Sequence, residues 1–120
     1  MWLYTVRGFI SIVQVDGTSG EGSRYLVRAR RVNDLARILQ DLNSISTKAG
    51  IEQHRIFYTP NHDYHYRVEL SKADVRRLLL AQVEEITYRN FKSEAHKQLG
   101  GDFSSMLHEV YRCTLSLKEW

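Results

Sequence analysis

Polar and apolar residues alternate along "RYLVRARR" (24–31), so the stretch reads as a β-strand with two unlike faces. Tyr25, Val27 and Ala29 share one face, and Arg24, Leu26, Arg28 and Arg30 share the other. The run before it, "WLYTVRGFISIVQV" (2–15), is rich in β-branched and aromatic residues and predicts a first strand, with Gly8 marking a bulge or bend. "DGTSGEGS" (16–23) between the two has the composition of a hairpin loop. "HRIFYT" (54–59) predicts a short third strand closed by Pro60-Asn61, and "HDYHYRVEL" (62–70) a fourth. In the fourth, Tyr64, Tyr66, Val68 and Leu70 fall on one face with His62; Asp63, His65, Arg67 and Glu69 fall on the other.

Elsewhere the apolar spacing is helical. Asn33 offers an N-cap and Asp34 an acid in the first turn. Leu35, Ile38, Leu39 and Leu42 follow, with Ile45 extending the stripe and Gly50 as the outer limit. Ser71, with Asp74 three residues on, opens a helix whose stripe is Val75, Leu78, Leu79, Val83 and Ile86. Residues 88–99 predict another, with Tyr88, Phe91, Ala95 and Leu99 inward, stopped by Gly100-Gly101. Asp102 is the expected cap of a last helix carrying Phe103, Met106, Leu107 and Val110, with Cys113 or Thr114 at its buried end. The order β-β-α-β-β-α-α-α predicts an α+β fold. It is a two-layer sandwich in which helices cover one face of a four-stranded, mainly antiparallel sheet.

The 120 residues suit a single domain over 1–120, with 42% hydrophobic and 26% charged positions. No internal repeat, low-complexity tract or linker interrupts it. One cysteine, Cys113, excludes an internal disulfide and argues against a cysteine-based zinc site. The start "MWLYTVRGF" has no basic region followed by a long apolar run, so it is not read as a signal peptide. The longest apolar run, "LLLA" (78–81), is too short for a bilayer, and the expected location is cytoplasmic. The net charge of +3 is mildly basic and lacks the long Lys/Arg runs of a dedicated nucleic-acid binder. What matters is where the arginines lie.

The candidate chemistry thins out on inspection. His62 and His65 are three apart, so on a strand they point to opposite sides, and transition-metal sites need three or four converging ligands. His108-Glu109 opens as a zinc-protease helix does, but Arg112 stands where the second histidine belongs. Lys92 and His96 share a helical face and could line a pocket. "LGGDF" (99–103) lacks the lysine of a phosphate loop, and Ser11, Ser104 and Ser105 lack the context of a nucleophile elbow. No metal, cofactor or catalytic residue is assigned. The uncovered sheet face is richer. It presents Arg24, Arg28 and Arg30 from one strand and Asp63, His65, Arg67 and Glu69 from another, with Arg7 and Ser11 added from the first. Arginine forks suit phosphates and carboxylates. The competing reading is a solvated face neutralised by cross-strand pairs such as Arg28 with Glu69.

Four stretches together resemble a family of small bacterial proteins without an assigned activity: "MWLYTVRGFISIV", "VRAR" (27–30), "DYHYRV" (63–68) and "ITYRNFKSEAHK" (86–97). They span nearly the whole chain. Asp63, Tyr64 and Arg67 match the family's D-Y-x-x-R. Ile86, Tyr88, Asn90, Phe91 and Lys92 match its I-D-Y-x-N-F-K, with Thr87 in place of the acid. The resemblance implies a stand-alone cytosolic domain and carries no catalytic residue over. It further suggests that Asn90 or Lys92 meets Asp63 or Arg67, as a ligand site or as a polar network that docks a helix.

Three functions follow as expectations. The first is a binding or accessory domain for an anionic ligand, nucleic acid or nucleotide, held by Arg7, Arg28, Arg30 and Arg67, with Asp63, Tyr64, Asn90 and Lys92 nearby. The second is a protein-interaction module, such as a homodimer, using a sheet face or edge. The third is a small hydrolase or nuclease using His65 or His96 with Arg67 and Glu69.

Overall fold

A computed structural model describes residues 1–45 and 54–118, the side chains of 43–45 excepted. The fold is α+β, and the described residues form four helices and a five-stranded antiparallel sheet. The strands are β1 (Trp2–Thr5), β2 (Gly8–Gln14), β3 (Arg24–Ala29), β4 (Phe57–Tyr58) and β5 (Tyr66–Ser71), in the order β1-β2-β3-β5-β4. The helices are α1 (Val32–Ile45), α2 (Lys72–Glu84), α3 (Phe91–Leu99) and α4 (Gly101–Thr114). Two compact units result, Met1–Ile86 and Thr87–Trp120.

The fifth strand comes from the first run. Residues 2–15 fold as a hairpin rather than as one bent strand, turning at Val6-Arg7. The Thr5 hydroxyl closes the turn: it donates to the Gly8 carbonyl and accepts from the Arg7 amide. Gly8 has φ of +140°, and a Cβ there would stand 2.3 Å from Cγ of Asp34. Only glycine fits, because Asp34 is buried beneath the turn. Its carboxylate accepts from the Phe9 amide and from Arg31, fastening the start of α1 to the start of β2. The hairpin loop between β2 and β3 forms as expected, with a short 3-10 turn at Gly20–Gly22.

One face of the sheet makes the core. Ile10 and Ile12 of β2, Val27 and Ala29 of β3, and Val68 and Leu70 of β5 are buried. They lie against Leu35, Ile38, Leu39 and Leu42 of α1 and Val75 and Leu78 of α2. Ile12, Val27 and Val68 are directly opposed across three strands, so alternation places the next residue of each strand on the other face. Ser71 caps α2 by accepting from the Asp74 amide, as the spacing predicts.

Several sequence expectations shift. The third strand shrinks from 54–59 to Phe57–Tyr58. Val83 and Ile86 are exposed, while Ala81 and Gln82 take the buried positions. The inward line of α2 from Val75 and Leu78 continues at 82, and Gln82 fits there because its amide donates to Asp41 of α1. The expected end of α1 near Gly50, and the Ile45 side chain, lie outside the described residues.

The second unit is the helical pair α3–α4. Asn90 caps α3 with its side chain accepting from the Ser93 amide, so the helix starts at Phe91 rather than Tyr88. Ala95, Phe103 and Leu107 are buried. Gly100, with φ of +91°, ends α3 and begins α4, so Asp102 lies in the first turn and is not the cap. Cys113 is exposed instead of buried, as are its neighbours in the last turn of α4. Among the described residues no helix is long and apolar enough to cross a membrane.

Candidate functional site on the open sheet face

The sheet face away from α1 and α2 carries one continuous row of paired positions. Trp2 is opposite Ser11, Ser11 opposite Arg28, Arg28 opposite Arg67, and Arg67 opposite Phe57. Directly opposed residues share a face, so the row runs from edge to edge with two arginines at its centre. Trp2 is 65% and Phe57 52% exposed at its ends. Arg55 joins at the β4 end, its guanidinium 5.4 Å from the Phe57 ring.

Arg28 is the best positioned of the arginines. Nη2 donates to the Ser11 hydroxyl at 2.8 Å, and the guanidinium lies 4.7 Å from the Tyr64 ring centre. Its Nε is buried with no hydrogen-bond partner among the described residues. No carboxylate lies within ion-pair reach of Arg28, Arg30 or Arg67 among the described residues. Among the described residues Arg67 makes a long 3.5 Å contact to the Tyr64 carbonyl. A buried donor left unpaired and two like charges face to face both cost stability in the free protein.

Beside the arginines stands a stack of aromatic rings. Tyr4 and Phe9 are parallel at 4.6 Å, Trp2 meets Phe9 edge-on at 6.1 Å, and Tyr64 lies 6.2 Å from Phe9. Burial, with a smaller contribution from nearby Tyr64, pushes the Tyr4 phenol pKa above its ordinary value. Tyr64 was expected on the helix side. It precedes β5, whose regular alternation starts at Tyr66, and its ring turns to the open face against Phe9 and Arg28.

The other expected site residues divide. Glu69 is opposite Leu26 and pairs with Arg24 at 3.0 Å, not with Arg28. Asp63 is exposed, with no ion pair among the described residues. Arg7 does not join the face. From its place in the β1–β2 turn it pairs with Asp41 of α1 at 2.9 Å and with Glu85 at 2.8 Å. Burial works against its charge, but the two carboxylates outweigh it and raise the guanidinium pKa. Asn90 and Lys92 belong to the second unit and are engaged within it. Asn90 is the α3 cap, and Lys92 Nζ lies 4.8 Å from the Tyr111 ring centre.

Lys92 and His96 do line an open depression, together with Ser93, Ser104 and His108. His96 Nδ1 and Ser104 Oγ are 2.8 Å apart, and Ser104 Oγ also lies 3.0 Å from the Gly101 carbonyl oxygen. The described residues contain no group of three potential metal ligands.

Trp2, Phe9, Arg55 and Phe57 were missing from the expected site. Trp2 and Phe9 become visible once residues 2–15 are divided at Val6-Arg7, because each strand then alternates by itself. No family model, curated protein or solved structure matches this chain.

Proposed function

We propose that the protein is a non-enzymatic binding domain for an anionic, base-bearing ligand, a nucleic acid or nucleotide, held on the open sheet face. The observation that carries this reading is the directly opposed pair Arg28–Arg67, without a carboxylate partner among the described residues and flanked by exposed or half-exposed aromatic rings. A phosphate at the pair relieves their mutual repulsion and supplies an acceptor for the guanidinium donors. The rings offer stacking surfaces to bases, which any base can use. The reading includes a cytoplasmic location, where such ligands are abundant.

A protein partner is the competing occupant, since aromatic residues and arginine also mark protein interfaces. A second copy of this chain fits poorly, because a two-fold pairing about the row sets four arginines against one another. An acidic protein remains as an alternative outcome. The test is titration of labelled single-stranded DNA, RNA and a nucleoside triphosphate at several salt concentrations. The reading expects saturable binding that weakens with salt and is lost in Arg28→Gln/Arg67→Gln. Absence of saturable binding by all three probes at low salt refutes it.

A further inference from the structure

The row has a length, and the length selects among anionic ligands. Trp2 lies on one edge strand and Phe57 on the other, with Ser11, Arg28 and Arg67 between them. Four strand spacings separate the ends, about 19 Å. The positive charges sit at the centre, Arg28 and Arg67, and at the β4 end, Arg55. Both terminal rings are more than half exposed. A mononucleotide has one base and one cluster of phosphates, so it can occupy one ring and the arginine pair but not both ends.

Building on the anion-binding reading, we propose that the physiological ligand is single-stranded nucleic acid, laid across the strands from Trp2 to Phe57 with its backbone over Arg28 and Arg67. Duplex is excluded as the preferred form because its bases are stacked on each other and hidden from side-chain rings, whereas splayed bases of a single strand are free to stack on them. At about 3.4 Å per nucleotide, the spacing of stacked bases, the row would cover at most about six nucleotides, and splaying the bases onto the rings lowers that number. Glu69 sits one pair of positions along β5 from Arg67, already paired with Arg24, and the Tyr4, Phe9 and Tyr64 rings lie on the other side of the row.

The experiment is a length series. Labelled oligo(dT) and oligo(rU), from the mononucleotide to about twelve nucleotides, are titrated against the full chain, with a duplex of the same length as competitor. Affinity is expected to climb tenfold or more between one and about six nucleotides and then level, with duplex at least tenfold weaker. Trp2→Ala and Phe57→Ala are each expected to lower affinity for the six-mer five- to tenfold and to leave mononucleotide binding less affected. Circular dichroism confirms that both variants are folded. Equal affinity for mononucleotide and six-mer overturns the single-strand inference while leaving the anion-binding reading in place. So does a duplex that binds as tightly, or a six-mer indifferent to both substitutions. No binding at any length sinks both.

Discussion

Arg28 and Arg67 face each other across the β3–β5 ladder on the open side of the sheet, and no carboxylate within the described structure pairs with either. Proteins ordinarily place opposite charges at such positions, and like charges directly opposed are destabilising. The arrangement makes sense when an external anion completes it. Arg24 and Glu69, on the same two strands, show the usual solution only a few residues away.

Removing one of the two charges should therefore help the free protein and harm the complex. Arg67→Gln is expected to raise stability by about 0.2–1 kcal/mol in urea unfolding, while weakening nucleic-acid binding. A loss of stability together with unchanged affinity would mean that Arg67 is structural.

The salt dependence counts the phosphates met. With two arginines engaged, the logarithm of the binding constant should fall with the logarithm of salt at a slope of about −1.4, and at about −0.7 in Arg28→Gln. Isothermal or anisotropy titration across a salt series measures both slopes. A slope near zero would place the ligand contacts on uncharged groups.

Arg7 separates stability from binding. Its two carboxylate partners, Asp41 and Glu85, join the β1–β2 turn to the helical layer. Arg7→Ala should cost about 1–2 kcal/mol of stability, allowing for the partial exposure of the pair, and leave ligand affinity within a factor of two. A large affinity loss in a folded variant would return Arg7 to the site.

Gly8 and Asp34 form a second structural test. Gly8→Ala combines a positive φ with a clash against the Asp34 carboxylate, and should destabilise by roughly 3 kcal/mol. Thermal unfolding reads the effect; a neutral result would show that the turn can rearrange.

Asn90 is expected to act only on its helix. Asn90→Ala should cost about 1 kcal/mol and Asn90→Asp should retain the cap, with ligand affinity unchanged in both. Denaturant midpoints and one titration per variant decide it.

The two-faced strands were the most legible part of the fold. Val27, Ala29, Val68 and Leu70 are buried where alternation puts them, and Arg28 and Arg67 are on the far side. Alternation is a local property and survives folding. The β1–β2 hairpin was harder to read because its turn, Val6-Arg7, is not a usual turn pair. It is held by the Thr5 hydroxyl and by Asp34, which arrives from α1. Missing that turn hid Trp2 and Phe9. Tyr64 was named among the site residues but placed on the helix side, because the strand alternation was carried back past Tyr66, where β5 begins. Arg7 and Arg28 look alike in sequence, and only the positions of Asp41 and Glu85 separate a structural ion pair from a guanidinium without a carboxylate partner among the described residues.

The most direct test is to map the ligand on the protein. Amide and side-chain NMR shifts are followed while a single-stranded six-mer is added at low salt. Saturable changes are predicted at Trp2, Ser11, Arg28, Tyr64, Arg67 and Phe57, with α1 and the Lys92–His96–Ser104 depression unmoved. Saturable changes confined to that depression or to α2, with the sheet row silent, would contradict the account.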